Sequence, residues 1–180
     1  VYYGTSIVHG DFAARAGLGT SQVLGRRLDM PLINLGFSGN AKMEAPLAEL
    51  IAEIDAGIFV IDALPNMDTP MVKERAEKFI RIICDAHPDT PVVLVEDHPN
   101  MKAWLKAEKK KWHKAKWNAF SKVYRKLLKE GYQNLSYVKG AKLFGTDNEA
   151  SMDGVHPSDL GYMRMADIME KAMKKALSIA

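Results

Sequence analysis

The chain has 180 residues, 47% hydrophobic and 26% charged, with a formal net charge of +3. This is enough apolar material for one sizeable core in a single globular domain, and the small charge sets up no field to draw nucleic acid or an anionic membrane. One cysteine, Cys84, excludes an internal disulfide, and no apolar run approaches the roughly 18 residues of a membrane-spanning helix.

The first apolar run, VYYG at 1–4, has strand length and breaks at Gly4-Thr5-Ser6. The chain opens almost inside this strand, which leaves room upstream for a signal or a further domain. PLINLGF at 31–37 reads as the second strand. After it, Met43, Leu47, Leu50, Ile51 and Ile54 fall at the spacing of one helix face. GIFVID at 57–62 is apolar without alternation, as in a strand covered on both faces. The next helix carries its own start signal, Asp68-Thr69 as cap and Pro70 in the first turn, and Val72, Ala76, Phe79, Ile80 and Ile83 form its stripe. Cys84 lies on that helix and reads as a small buried hydrophobe, and His87 before Pro88 as a helix-end residue. PVVLVE at 91–96 is a second doubly covered strand.

The basic stretch 101–130 predicts a long helix with three tryptophans, Trp104, Trp112 and Trp117, among eleven Lys or Arg residues. Trp112, Ala119, Phe120, Val123 and Leu127 share helical spacing, so the aromatics are expected to face a core and the lysines water, with His113 exposed. This disfavours a nucleic-acid surface. LSYV at 135–138 is the fifth strand. A last helix begins near Ser158, with Tyr162, Met165, Ala166, Met169, Met173 and Leu177 as its stripe. Strands and helices alternating in this way predict a flavodoxin-like doubly wound α/β domain, a five-stranded parallel sheet in the order 2-1-3-4-5 with helices on both faces.

In such a sheet, ligands bind beyond the carboxyl ends of the strands. The polar residues that follow the five strands are Thr5-Ser6, Ser38-Gly39-Asn40, Asp62 with Pro65-Asn66, Asp97-His98, and, across a longer loop, Asp153 and His156. They include the parts of an acyl-transfer site. A serine hydroxyl needs a base, a histidine supplies one near neutral pH, and a carboxylate fixes its tautomer. Ser6, His156 and Asp153 fill those roles. The Ser6 N–H, Gly39 N–H and Asn66 amide are candidate donors to an oxyanion. Asp97 and His98 face the same edge as candidate substrate-binding residues, although for His98 a structural loop role is the favoured reading.

At these residues the chain resembles the SGNH hydrolases, also called the GDSL-like lipase and acylhydrolase family, over residues 2 to about 162. The four blocks are YGTSI with Ser6, NLGFSGN with Gly39, LPNM with Asn66 and DGVHP with Asp153 and His156. Thr5 stands where the family usually has aspartate. Leu64-Pro65-Asn66-Met67 replaces the usual Gly-x-Asn-Asp, and Pro65, with a fixed backbone angle and no N–H, changes the expected shape of the oxyanion loop. The blocks are most similar to a bacterial esterase subgroup, often secreted and often carrying an upstream β-sandwich domain. The resemblance implies serine-based hydrolysis of short-chain acyl esters without metal or organic cofactor. It also points to O-deacetylation of carbohydrate, with a small-molecule or carbohydrate ester as the partner.

Two other readings stay open on the sequence. His9, Asp11, Asp97, His98, Asp153 and His156 could supply a metal-dependent hydrolase, although none of the usual local ligand spacings is present. A non-catalytic ligand-binding module is the other: GTSIVHG at 4–10 could cradle an anion, while GLGTS at 17–21 lacks the phosphate-loop pattern.

Overall fold

The computed structural model describes residues 1–178 apart from Trp104, so the expectation for that tryptophan lies outside the described residues. Five apolar runs pair as strands β1 (Tyr2–Gly4), β2 (Asn34–Gly36), β3 (Phe59–Asp62), β4 (Val92–Val95) and β5 (Leu135–Val138). All neighbours are parallel, in the expected order β2-β1-β3-β4-β5, with Tyr3 level with Leu35 and Ile61.

Among the described residues, six α-helices flank the sheet: α1 (Ser6–His9), α2 (Thr20–Leu28), α3 (Ala45–Ala52), α4 (Thr69–Ala86), α5 (Ala107–Lys129) and α6 (Asp159–Leu177). Successive strand residues point to opposite faces. Phe59, Ile61, Val92 and Leu94 therefore pack against α3, α4 and α5, and Val60, Val93 and Val95 against α2 and α6. All eight residues of β3 and β4 are buried, and each Val, Leu, Ile or Phe among them contributes about 1.5–3 kcal/mol of transfer free energy.

The Asp68 carboxylate accepts from Met71 N at 2.8 Å and caps α4, and Ser158 immediately precedes α6, both as the sequence predicts. The Cys84 thiol is buried, which pushes its pKa up to about 12. His87 ends α4 and its Nε2 lies 2.8 Å from the Ala52 carbonyl at the end of α3, so it joins two helix ends. α3 has only eight residues, and Leu50, expected on its apolar stripe, is exposed; Ala48 and Ile51 make the buried face.

The basic segment departs most from expectation. The helix starts at Ala107, and ahead of it Ala103 N donates to Asn100 O (2.7 Å) and Leu105 N to Lys102 O (3.1 Å) in turns. Phe120 and Leu127 are in the core as predicted, but Trp112 is 42% exposed while His113 and Lys116 are buried. The physical reason is Asp97. The first half of α5 crosses the end of β4, where that carboxylate stands, so polar side chains turn inward to meet it.

Candidate active site

Beyond Gly4, Thr5 adopts extended angles and caps α1, its Oγ1 accepting from Ile7 N at 3.3 Å. A hydroxyl thus performs the capping that an aspartate could perform at this position. The cap places Ser6 at the first position of α1, over the carboxyl edge of the sheet. α1 lies tightly on the end of β2, where a Cβ on Gly36 would collide with the backbone of His9. Glycine is required there for close approach.

Ser6 Oγ lies 3.1 Å from His156 Nε2, and His156 Nδ1 lies 2.7 Å from Asp153 Oδ2. The other Asp153 oxygen accepts from Val155 N (2.7 Å), His156 N (2.7 Å) and Ser151 Oγ (3.1 Å). Burial acts to raise the Asp153 carboxyl, but the bonds from His156, Val155 and Ser151 outweigh it and hold the group well below the usual carboxylate range. An ionised Asp153 accepts a hydrogen bond from Nδ1–H, which leaves the Nε2 lone pair facing the serine hydroxyl.

The turn after β2 brings in Gly39 at φ +73°, with open space where a Cβ would stand and no acceptor for its N–H among the described residues. Asn66 closes a 3₁₀ turn, Leu64–Asn66, directly after β3. Pro65 sits in the first positions of that turn, where no backbone donor is needed, so the departure from the family's third block is accommodated locally. With its amide oxygen toward the 37–41 turn, Asn66 accepts from Asn40 N (3.1 Å) and Ala41 N (3.3 Å), joining the second and third blocks.

His98 and Asp97 have different surroundings. The His98 ring is buried, stacked on Phe144 with centroids 3.8 Å apart, and its nitrogens meet the carbonyls of Pro99 (2.8 Å) and Val155 (2.5 Å). Burial lowers its pKa while those carbonyl bonds act the other way. Because Val155 separates Asp153 from His156, His98 braces the loop that carries both, helped by Met101 N to Gly154 O at 2.9 Å. Asp97 is occupied within the protein by His113 Nδ1 (2.8 Å), Lys116 Nζ (2.8 Å) and Trp117 Nε1 (2.7 Å). Burial would raise that carboxyl; the His113 bond and the Lys116 charge outweigh it and hold it low.

Lys116 also donates to Leu64 O at 2.9 Å and lies over the Trp112 ring at 3.7 Å, so the buried cluster reaches the turn that presents Asn66. His113, Lys116 and Trp117 were not legible as site neighbours; the only pointer was Asp97 at a strand end. Asp62, at the end of β3, is buried with Tyr2 OH at 3.3 Å, and burial pushes its carboxyl up to about 7 against the effect of that bond. His9 and Asp11 pair with each other at 2.7 Å on the surface. Among the described residues, no group of three or more His, Cys, Asp or Glu converges as a metal cage. A cavity of about 500 Å³ lies beside the site, between Pro65 and Val155 on one side and Glu108, Lys109 and Trp112 of α5 on the other.

Residues 1–174 match the GDSL-like lipase/acylhydrolase family, and the chain belongs to it. Among solved structures it is similar to a Bacteroides ovatus protein described as a GDSL-like lipase, with 34% identity and a TM-score of 0.94 over 98% of this chain and 52% of that one. It shares the fold of the salicylyl-acyltransferase SsfX3 from a tetracycline biosynthetic pathway (23% identity, TM-score 0.83, 97% of this chain and 53% of that one). It also shares the fold of a family two carbohydrate esterase from Clostridium thermocellum, in complex with cellohexaose (13%, 0.73, 98% and 63%). The chain spans about half the length of the first two of these proteins. No curated protein sequence matches it significantly. No helix among the described residues is long and apolar enough to cross a membrane.

Proposed function

We propose that the protein hydrolyses carboxylic esters, with Ser6 as nucleophile, His156 as proton carrier and Asp153 as its orienting carboxylate. The observation that carries this reading is the unbroken hydrogen-bond chain from Ser6 Oγ through His156 to Asp153. Ser6 Oγ attacks the ester carbonyl carbon as Nε2 takes its proton, and the carbonyl electron pair moves onto oxygen. The Ser6 N–H, Gly39 N–H and Asn66 amide are assigned to that oxyanion. Collapse expels the alcohol, protonated by the imidazolium, and leaves an acyl-serine. Water, activated by the same imidazole, releases the acid and restores Ser6. No step calls on a metal or organic cofactor.

For the substrate, the reading is a short acyl group, foremost acetyl, on a carbohydrate. Its support is the cavity beside the site, where the exposed Trp112 indole stands among Asn100, Glu108 and Lys109. An apolar wall with a polar rim suits a sugar ring, which has an apolar face and hydroxyl edges. The test is hydrolysis of p-nitrophenyl acetate by the wild type and by Ser6→Ala, followed by acetate release from acetylated oligosaccharides. Turnover that survives Ser6→Ala removes the mechanism. Ser6-dependent turnover without acetate release from any sugar removes only the substrate.

A further inference from the structure

We infer that Phe12 is a positioning residue for His156, its ring lying flat on the imidazole so that Nε2 stays aimed at Ser6. The inference rests on the reading of His156 as the proton carrier. The two rings have centroids 4.9 Å apart and planes within 6° of parallel. Asp153 holds His156 by one edge, and Phe12 covers a face.

What singles out Phe12 is the strain required to keep it there. Its φ is +70°, a left-handed conformation that costs an ordinary side chain roughly 1–2 kcal/mol. Among the described residues, three other non-glycine residues share a positive φ, and each has a local reason. Met43 is 1% exposed, so core packing offsets its strain; Asp29 and Asn148 carry short polar side chains that tolerate this region. Phe12 is 60% exposed, and burial does not compensate it. Such a conformation persists only where the surroundings over-determine it.

Those surroundings belong to the site. Asp11 N donates to Ser6 O (3.0 Å), and Tyr162 OH of α6 donates to Asp11 O (2.6 Å). Ser38 Oγ, beside Gly39, donates to the Asp11 carboxylate (3.1 Å), and Ala14 N donates to Asp159 at the start of α6 (2.9 Å). The loop through Phe12 is therefore tied on both sides to the nucleophile's helix, to the Gly39 turn and to the helix that follows His156. The outcome of these ties is a phenyl ring on the imidazole, which restricts rotation of a side chain whose aim determines proton transfer.

Three variants separate ring from backbone. Phe12→Gly removes the ring and relieves the strain, Phe12→Ala removes the ring alone, and Phe12→Tyr keeps it. On p-nitrophenyl acetate and on ethyl acetate alike, kcat is expected to fall about tenfold in the Gly and Ala variants, with KM within about twofold and Tyr restoring turnover. The melting temperature of Phe12→Gly should not fall below that of the wild type. The His156 ring ¹⁵N resonances, followed by NMR, should broaden or shift in Phe12→Gly. Unchanged kcat in Phe12→Gly overturns the inference, and so do ring resonances that neither broaden nor shift. A loss confined to KM on one ester also overturns it, making Phe12 a substrate platform. These outcomes stand apart from failure of the proposed function, which Ser6→Ala reports: activity lost there but intact in Phe12→Gly removes the positioning role alone.

Discussion

Besides the His9–Asp11 pair on the surface, two histidine–carboxylate pairs stand near the same edge of the sheet with nearly the same bond, Nδ1 to Oδ2 at 2.7 Å for His156–Asp153 and 2.8 Å for His113–Asp97. They differ in what the other ring nitrogen meets. His156 Nε2 faces the Ser6 hydroxyl, whereas His113 Nε2 accepts from the backbone N–H of Asn100 at 3.0 Å. They differ also in enclosure: the His156 and Asp153 side chains are 24% and 36% exposed, those of His113 and Asp97 7% and 3%. In the buried pair the lone pair needed to take a proton is already used, and Lys116 and Trp117 fill the carboxylate. That pair is a brace. A histidine, a carboxylate and a short bond do not by themselves make a catalytic pair; the proposed mechanism rests on the second nitrogen of His156, which faces a serine hydroxyl.

The largest effects are expected at the open pair. Ser6→Ala and His156→Ala should each lower kcat/KM on p-nitrophenyl acetate by about 10⁴-fold or more, and Asp153→Asn by about 10⁴-fold, with little change in melting temperature. Asn66→Ala should lower kcat by about 10²- to 10³-fold with the fold intact, as for loss of one oxyanion donor; near-normal turnover would remove Asn66 from the site. At the buried pair the balance reverses. Lys116→Met leaves Asp97 buried without its ammonium partner, which typically costs about 3–5 kcal/mol and should lower the melting temperature by about 10 °C. The contrast fails if this variant loses catalysis at an unchanged melting temperature.

Asp62 extends the comparison to a carboxyl with only a tyrosine hydroxyl for a partner among the described residues. Its folded pKa is raised to about 7, so between about pH 4 and 7 the native state holds a proton that the unfolded chain has released. Its stabilising contribution is full below about pH 4 and is lost as pH rises through 7. Asp62→Asn, always neutral, should therefore raise the melting temperature by about 5 °C at pH 8, with the gap closing toward pH 5. An equal gap at both pH values contradicts the raised carboxyl.

The sheet was legible because its signal is local. β3 and β4 are apolar at nearly every position, and α4 and α6 carry both a stripe and a start residue. The polar residues at strand ends were legible for the same reason, since parallel topology forces them to one edge. The environment of α5 was not. Periodicity assigned Trp112 inward and Lys116 outward, and a single carboxylate at the end of β4 reversed both. The strained Phe12 was equally hidden, because the hydrogen bonds that hold it come from Ser38, Asp159 and Tyr162, remote in the chain.

The most direct test of the account is intact mass after incubation with a fluorophosphonate, on the wild type and on Ser6→Ala. An activated serine at position 6 predicts one covalent adduct on the wild type and none on the variant. No adduct on folded wild-type protein, or equal labelling of Ser6→Ala, would contradict it.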